Sequence, residues 1–383
     1  MSTAAGKALR CLDCGKCTSA CPVARYNRGL SPRRLVRRLI EGREGGDSGD
    51  VWACLTCLLC DARCPQEVPI TGTMPSLRRQ ARERGETPAP TRCSVIDSIA
   101  VLQSRADLPQ RRLDWLAAAS GLRTDPDSKV LLWIGCTPYF DAFFAANGAR
   151  TLNAVESAIR ILNALDIAPA VRADERCCGH DQLWSGDEQT FERLANMNRR
   201  LFAAAAPELV VTVCPECQLT LSRDYQQRWG LPACRIVHVA ELVAERAADL
   251  PLAAREQVVT YADPCRLGRH QRKVEEPRRA LAAVPGLTLN ELPRHGSSAT
   301  CCAGNWLACN RATKRIQLDL LRDAIATGAD LLVTACPKCL IHLTCAQSGG
   351  DASVADLEIR DLATVVAGAL ETCAATGRVE ERR

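Results

Sequence analysis

Ten cysteines of this chain form a figure of five that occurs twice. The first copy has Cys136, the adjacent pair Cys177 and Cys178, then Cys214 and Cys217; the second has Cys265, the pair Cys301 and Cys302, then Cys336 and Cys339. Between the first cysteine and the pair there are 40 residues in the first copy and 35 in the second. Between the pair and the final Cys-Pro-x-Cys there are 35 and 33 residues. Thiolates in this repeated order predict one iron–sulfur site per copy, on a duplicated domain. Five exceed the four ligands of a zinc ion or an ordinary cubane cluster, so the surplus thiolate either bridges or is free to react.

Eight further cysteines form two Cys-x2-Cys-x2-Cys-x3-Cys-Pro runs, at residues 11–22 and 54–65. This spacing is typical of bacterial ferredoxins, in which three close thiolates bind one [4Fe-4S] cubane and the fourth binds the other. It predicts one cubane on Cys11, Cys14, Cys17 and Cys64, and a second on Cys54, Cys57, Cys60 and Cys21. The alternative is a pair of structural zinc sites, but zinc favours two separated cysteine pairs.

The composition favours metal binding over disulfides. The 383 residues include 23 cysteines, and residues 1–10 contain no apolar segment of the kind that directs export. Apolar runs are too short to span a membrane, so we expect a cytoplasmic protein that reaches the inner face of a membrane only through a partner. No glycine-rich phosphate loop is present, so we expect no flavin or nucleotide in this chain.

The net charge of +5 is concentrated at the N-terminus. Residues 1–90 have 15 Lys and Arg against 9 Asp and Glu, whereas the remainder is nearly balanced. A basic segment is compatible with nucleic-acid binding. Arginines also balance the negative charge of thiolate-ligated clusters, and for this reason we expect no nucleic-acid partner.

The pattern of apolar residues predicts a mixed helical and α/β protein in four parts. These are a helical ferredoxin-like domain at 1–92, a connector at 93–128, and two α/β domains at 129–250 and 251–383. Buried strands at 130–134, 209–213, 258–261 and 331–335 each lead to a cysteine of the repeated figure, and helices are predicted near 31–42, 150–165, 189–206, 240–256 and 312–327. Open α/β sheets place ligand sites at the carboxyl ends of strands. The repeat therefore predicts a pseudo-twofold arrangement with both sites near the interface.

The cysteine figures resemble the CCG domain of heterodisulfide reductases. The resemblance rests on residues 177–187, 213–217, 263–270 and 335–339, together with residues 14–22, 31–33 and 64–66 of the N-terminal part. It covers about residues 10–347 and is closest to the D-type subunit, in which a C-type ferredoxin domain precedes a B-type double CCG domain. The resemblance implies a non-cubane [4Fe-4S] cluster on each five-cysteine set, and reductive cleavage of a disulfide between the two clusters.

Several residues keep alternative interpretations. Ala303 follows the second cysteine pair where the family usually has glycine, which puts the substrate and its access in question. His180 and His270 either deliver a proton to a nascent thiol or hold a loop by hydrogen bonds, and we include His180 with the two cysteine pairs as candidate catalytic residues. The cysteines outside the figures are interpreted as ordinary thiols: Cys93, Cys234, Cys309, Cys345 and Cys373.

Two functions remain open at this point. The first is a reductase that breaks or forms a disulfide at the paired CCG clusters, with electrons supplied by the cubanes. The second is an electron-transfer subunit of a larger quinone- or cytochrome-linked complex, without substrate chemistry of its own. The resemblance implies partners of the flavoprotein, ferredoxin or membrane cytochrome b type.

Overall fold

The computed structural model describes residues 4–42, 48–91, 94–230 and 234–371 of the chain. Within these ranges it combines a helical N-terminal part with two parallel-sheet units, as the sequence predicts. Cys93 and Cys373 lie outside the described residues, so their interpretation stays a prediction. None of the described helices is long and apolar enough to cross a membrane.

The N-terminal part consists of seven short helices around the two cysteine runs. They are α1 Ala4–Ala8, α2 Lys16–Ala20, α3 Pro22–Tyr26, α4 Pro32–Ile40, α5 Ser48–Ala53, α6 Leu59–Ala62 and α7 Met74–Glu83. Helix α4 begins as predicted, with the Ser31 hydroxyl accepting a hydrogen bond from Arg34 N–H. Leu35 packs with one group of cysteines and Val36 with the other, so α4 covers both runs. Ile40, the last residue of the helix, is 39% exposed.

Two connector helices, α8 Val95–Gln103 and α9 Asp114–Ala118, lead into the first parallel sheet. Its strands are β1 Val130–Trp133, β2 Leu209–Thr212 and β3 Arg235–His238, in that spatial order. The second sheet has the order β5-β4-β6-β7, from β4 Gln257–Ala262, β5 Leu287–Leu289, β6 Leu331–Thr334 and β7 Glu358–Asp361. An isolated parallel bridge from Leu131 to Ala170 occupies the place of β5 in the first sheet. The two sheets therefore have the same topology.

The helices of the two copies also correspond. The first copy contains α10 Thr137–Phe144, α11 Leu152–Ala164, α12 His180–Ser185, α13 Glu188–Ala205, α14 Pro215–Leu219, α15 Gln226–Trp229 and α16 Val239–Glu245. The second contains α17 Cys265–Gln271, α18 Glu275–Ala282, α19 Arg311–Ala326, α20 Pro337–Gln347 and α21 Leu362–Gly368. Helix α11 packs on α21 and α16 on α18, and one apolar core spans both copies. Because α11 corresponds to α18 and α16 to α21, these two contacts are equivalent under a pseudo-twofold axis.

The structure corrects the prediction at two places. The helix predicted over 240–256 ends at Glu245, and a short turn at Ala247–Asp249 is followed by an extended segment in which Leu252 bridges to Leu370. Strands β3, β5 and β7 were not predicted. They lie at or next to sheet edges and include exposed polar residues, so they lack the continuous apolar run by which we identified the others.

Candidate metal centres

The eight N-terminal cysteines line two separate small cavities. One cavity, of about 20 Å³, is lined by Cys11, Cys14, Cys17 and Cys64 among others. The other, also of about 20 Å³, is lined by Cys21, Cys54, Cys57 and Cys60. Each run thus contributes three thiols to one group and its fourth thiol to the other. That these two groups bind iron stays a prediction.

Backbone N–H groups point at several of these sulfur atoms. Asp13 N–H donates to Cys11 Sγ at 3.4 Å, and Thr56 N–H donates to Cys54 Sγ at 3.4 Å. Asp13 and Thr56 both adopt positive φ, near 51°, which turns the chain around the thiol. Such donors stabilise a thiolate and, in iron–sulfur proteins, help to set the reduction potential.

In the first copy of the repeat, the five thiols form one continuous group. The thiol of Cys136 interacts with that of Cys177, Cys177 with Cys178, Cys178 with Cys217, and Cys217 with Cys214. The pair lies in the loop before α12, whereas Cys136 and Cys214 follow β1 and β2 and come immediately before α10 and α14. The carboxyl ends of these parallel strands therefore bring together cysteines that are far apart in sequence.

The second copy repeats the arrangement. The thiol of Cys265 interacts with that of Cys301, Cys301 with Cys302, and Cys339 with Cys336. The sulfur atoms of Cys302 and Cys339 lie 2.9 Å apart. Cys265 follows β4, and Cys336 follows β6 and precedes α20. The same topology thus collects the same five thiols twice.

Two contacts between thiols connect cysteine groups that the sequence predicts to be separate. The thiol of Cys57, in the second ferredoxin-type run, interacts with that of Cys301. The thiol of Cys214 in the first copy interacts with that of Cys336 in the second. The contact with Cys301 is the largest cause that lowers the pKa of Cys57, to about 6. Sulfur contacts therefore run without interruption from the N-terminal part through the second copy into the first.

The donor chemistry fits iron–sulfur clusters. Each group offers four or five thiols and little else, in buried or half-buried positions apart from the exposed Cys14, and N–H donors are directed at some of the sulfur atoms. Gly135 also allows a close approach, because a Cβ there would lie 3.0 Å from Cys217 Sγ. Among the described residues, no three His, Cys, Asp or Glu side chains are grouped to hold a single metal ion. The type and number of clusters stay a prediction.

Ala303 adopts the strained backbone that the sequence predicts. Its φ is 52°, and its counterpart Gly179 in the first copy has φ 81°. A Cβ on Gly179 would lie 2.6 Å from Phe191 Cδ2, so alanine is excluded there by packing as well as by conformation. Ala303 is buried in an apolar cluster with Ile316, which accommodates its methyl group.

Both ring nitrogens of His180 are engaged. Nδ1 lies 2.8 Å from Thr220 Oγ1, and Nε2 accepts a hydrogen bond from Arg266 Nε at 3.0 Å. Burial, with Arg266 and Lys338 as neighbouring cations, lowers the pKa of His180 well below its usual value. A neutral imidazole that bridges α12 to the second copy favours the positioning role over proton delivery. His270 contacts Thr56 O at 2.9 Å and has a similarly lowered pKa, mainly through burial.

A buried ion-pair cluster lies between the two copies. Lys338 Nζ is 2.5 Å from Asp181 Oδ1 and 2.8 Å from Glu216 Oε2. Glu216 and Lys338 occupy the same position of the Cys-Pro-x-Cys run in their respective copies. Burial raises the pKa of Glu216 to about 8, and Lys338 limits the rise. Burial would lower the pKa of Lys338, but Asp181 and Glu216 outweigh it and raise that pKa well above its usual value.

The connector contributes residues that sequence reasoning missed. Gln103 Nε2 donates to Cys136 Sγ at 3.5 Å, and its Oε1 accepts from Cys177 N–H at 2.8 Å. Arg112 is fully buried against Glu175, with Nη2 and Oε1 2.7 Å apart. The glutamine is a polar residue at the end of an amphipathic helix, and nothing in its sequence context distinguishes it from a surface residue.

A small cavity opens where the N-terminal part, the connector and both copies meet. Its volume is about 70 Å³, and its wall includes one cysteine of the second copy, Cys265. The charged residues on the wall are of both signs: Arg78, Asp97, Asp181, Glu216, Arg266 and Lys338. The cavity therefore offers a polar approach to one thiol of the second group.

Three cysteines outside the figures are described. Cys345 is buried and accepts a hydrogen bond from Lys314 Nζ at 3.1 Å, whereas Cys234 and Cys309 are half-buried. None of them forms a thiol–thiol contact with the five-cysteine groups in the part of the chain that is described. Their interpretation as ordinary thiols stays a prediction.

Comparison with family models identifies both parts of the chain. A cysteine-rich domain, CCG, matches residues 130–222 and 259–344, and a 4Fe-4S dicluster domain matches residues 7–68. The repeat recognised from the cysteine spacing is therefore a pair of CCG domains preceded by a dicluster domain.

Several curated proteins are similar over nearly the whole chain. A probable membrane-anchored ferredoxin of Chromohalobacter salexigens is 29% identical, over 94% of this chain and 59% of its own length. The B-type subunit of fumarate reductase (CoM/CoB) of Methanothermobacter marburgensis is 26% identical, over 93% and 73%. The D-type subunit of dihydromethanophenazine:CoB–CoM heterodisulfide reductase of Methanosarcina acetivorans is 26% identical, over 94% and 93%. The chain thus spans less than two thirds of the first of these relatives and nearly all of the last.

Proposed function

We propose that this chain is an oxidoreductase whose N-terminal part exchanges electrons with the paired CCG domains. The proposal starts from the family of the chain, the iron–sulfur proteins that include the D-type subunit of heterodisulfide reductase. When bound, the four clusters would supply one-electron steps. Cys11, Cys14, Cys17 and Cys64 would hold the first, Cys54, Cys57, Cys60 and Cys21 the second, and the two five-cysteine sets the remaining two. The observation that carries the proposal is the unbroken series of sulfur contacts through Cys57, Cys301, Cys336 and Cys214.

The residues around Cys54 and Cys57 support fixed junctions between the N-terminal part and both CCG domains. Arg78 Nη2 donates to Cys54 O at 2.6 Å, and its Nη1 donates to Trp184 O at 2.7 Å. Arg266 Nη1 donates to Thr56 O at 2.7 Å. Buried hydrogen bonds of this kind exclude water, and they hold the sites that donate and accept electrons at a constant separation.

The second CCG domain would be the entry point for electrons into the pair. Cys57 contacts Cys301 of the second copy, and no thiol of the first copy is hydrogen-bonded to an N-terminal cysteine among the described residues. The first copy is reached through Cys214 and Cys336. The two CCG domains therefore have unequal positions in the proposed series.

Disulfide reduction at the CCG pair is a second candidate, supported by the cavity beside Cys265. A disulfide takes up two electrons and two protons to give two thiols. The cavity of about 70 Å³ is well below the roughly 300–1,000 Å³ of sites that enclose drug-sized ligands. We therefore propose that only the sulfur-bearing end of a substrate would enter it, and that Arg78, Arg266 and Lys338 would attract an anionic one.

Partners and location are part of the same proposal. One relative is named a membrane-anchored ferredoxin, and others are named as reductase subunits. We propose that this chain likewise works with a flavoprotein, ferredoxin or cytochrome b type partner, in the cytoplasm or at the inner face of the membrane through that partner.

The proposal is tested first by metal content. Anaerobically purified protein should contain about 16 iron and 16 sulfide per chain if four [4Fe-4S] clusters are bound. Cys301→Ser should lose about a quarter of the iron, whereas Cys345→Ser, a matched buried cysteine, should keep it. Zinc in place of iron would contradict the proposal.

The two candidate functions differ in what re-oxidises the protein. Protein reduced by a viologen dye should reduce added disulfides without any partner if the CCG pair is an active site. If disulfides leave it reduced and a quinone with its membrane partner re-oxidises it rapidly, it is an electron-transfer subunit.

A further inference from the structure

Helix α17 carries a buried arginine at the junction between the N-terminal part and the second CCG domain. Arg269 is 9% exposed. Its Nε donates to Cys57 O at 2.6 Å, and its Nη1 donates to Ala299 O at 2.6 Å. The charges of Cys57, Cys265 and Cys301, and after them that of Asp263, raise the pKa of Arg269. The guanidinium thus lies among cysteines of two different predicted centres.

One nitrogen of this guanidinium has no hydrogen-bond acceptor. Among the described residues, Arg269 Nη2 is buried without a partner. A buried N–H that lacks an acceptor is destabilising by about 1–3 kcal/mol, so such groups are rare unless a ligand supplies the acceptor. Inorganic sulfide and thiolate sulfur are the acceptors that a cluster on either side would bring.

The first CCG domain has no corresponding charge. Cys136 and Cys265 are counterparts, so the residue four positions later is Phe140 in the first copy and Arg269 in the second. Phe140 is buried against Trp306, with ring centroids 6.1 Å apart. The arginine is therefore not a requirement of the CCG fold, and it occurs in the copy whose Cys301 interacts with Cys57 of the N-terminal part.

We propose that Arg269 raises the reduction potentials of the two centres at this junction, so that the junction accepts electrons from the first ferredoxin-type centre. The inference rests on the proposed function. Reduction adds one negative charge to a centre, and a fixed cation in a poorly hydrated position stabilises that charge. The donor centre loses one electron and the junction gains it, and no proton is needed because Arg269 remains charged throughout. Arg269 holds a positive charge in a fixed position beside the two centres and is not itself a catalytic residue.

The test compares redox titrations of the iron-loaded protein, followed by electron paramagnetic resonance. Arg269→Gln should lower the potentials of the junction centres so that their reduction equilibrium shifts at least tenfold, which corresponds to 59 mV for one electron. Arg269→Lys, which keeps the charge, should stay within about threefold of wild type. Arg279→Gln removes an exposed arginine from the next helix and should change neither centre.

Unchanged potentials in Arg269→Gln with full iron content would overturn the inference. An equal drop in Arg269→Lys would also overturn it, because hydrogen bonding and not charge would then be responsible. If Arg269→Gln fails to fold, Arg269→Lys decides: wild-type iron and potentials support the inference, and loss of either refutes it. A wild-type protein without iron would refute the proposed function itself, which metal analysis detects before any titration.

Discussion

Removal of the buried Lys338 ammonium should destabilise the protein in a pH-dependent way. Lys338→Met leaves the carboxyl groups of Asp181 and Glu216 facing each other between the CCG domains, with Arg266 Nε 3.9 Å from Glu216. Breaking a buried ion pair by deleting one partner typically destabilises by about 3–5 kcal/mol. Asp181 is about a quarter exposed, so we expect the lower end of that range near pH 7.

The pH dependence follows from Glu216. Its pKa is about 8 in the folded protein, raised chiefly by burial, against about 4.3 in an unfolded chain. The folded state thus holds an extra proton between these values, and the stability that this proton provides is lost as the pH rises toward 8. Without Lys338 the folded pKa is higher still. Above pH 8 the variant must therefore keep a proton that the wild type has released, and its destabilisation grows by about 1.4 kcal/mol per pH unit.

Thermal unfolding followed by circular dichroism under anaerobic conditions measures both effects. We expect Lys338→Met to lose about 2 kcal/mol more at pH 9.5 than at pH 8, or about 2–3 °C in Tm. Adding Glu216→Gln should abolish this extra loss. Lys273→Met is the matched control, because Lys273 pairs with Glu241 at 2.8 Å but is 36% exposed, and it should lose at most about 1 kcal/mol at either pH. Equal losses for Lys338→Met at both pH values, or no rescue in the double variant, would refute the reasoning.

Three further predictions concern the backbone and the supporting residues. Gly179→Ala should destabilise the protein by about 2–4 kcal/mol, because it combines positive φ with overpacking against Phe191. Ala303→Gly should change the stability by no more than about 1 kcal/mol. Similar melting temperatures for the two variants would contradict this prediction. Asp361 caps α21, and burial raises its pKa to about 7, so wild-type stability should fall between pH 4 and 7 by up to about 4 kcal/mol. Asp361→Asn keeps the cap and should remove the part of this fall that Asp361 contributes, whereas parallel pH curves for variant and wild type would show the carboxyl to be uninvolved. Gln103→Leu leaves the buried Cys177 N–H unpaired and should reduce the free energy of unfolding by about 1–3 kcal/mol with iron retained, while an unchanged Tm would exclude this role.

The cysteine spacing was sufficient to predict the repeat, and the apolar runs that lead to the cysteines predicted its central strands. Strands β1, β2, β4 and β6 are short apolar runs that end at cysteines, so the central strands of both sheets and the collection of thiols at one edge followed from the sequence. The family matches confirm the duplicated cysteine-rich region and the dicluster domain. The pattern of cysteines and apolar residues was informative here because ligand sites and central strands strongly constrain the residue type.

The contacts between the parts could not be predicted in the same way. Arg78, Arg266 and Arg269 sit in helices whose sequences are compatible with a solvated basic face, and only the packed fold buries them. Their hydrogen bonds reach carbonyl groups of Val51, Cys54 and other residues that are distant in sequence. A backbone carbonyl is present at every residue, so the sequence contains no signal that selects these acceptors.

The opposite charges of Glu216 and Lys338 have a consequence for how the two CCG domains can assemble. If two copies of the first half met about the same axis, glutamate would face glutamate, and two copies of the second half would oppose lysine to lysine. Like charges buried face to face disfavour either symmetric dimer. Each half is thus a poor partner for a second copy of itself and a good partner for the other half.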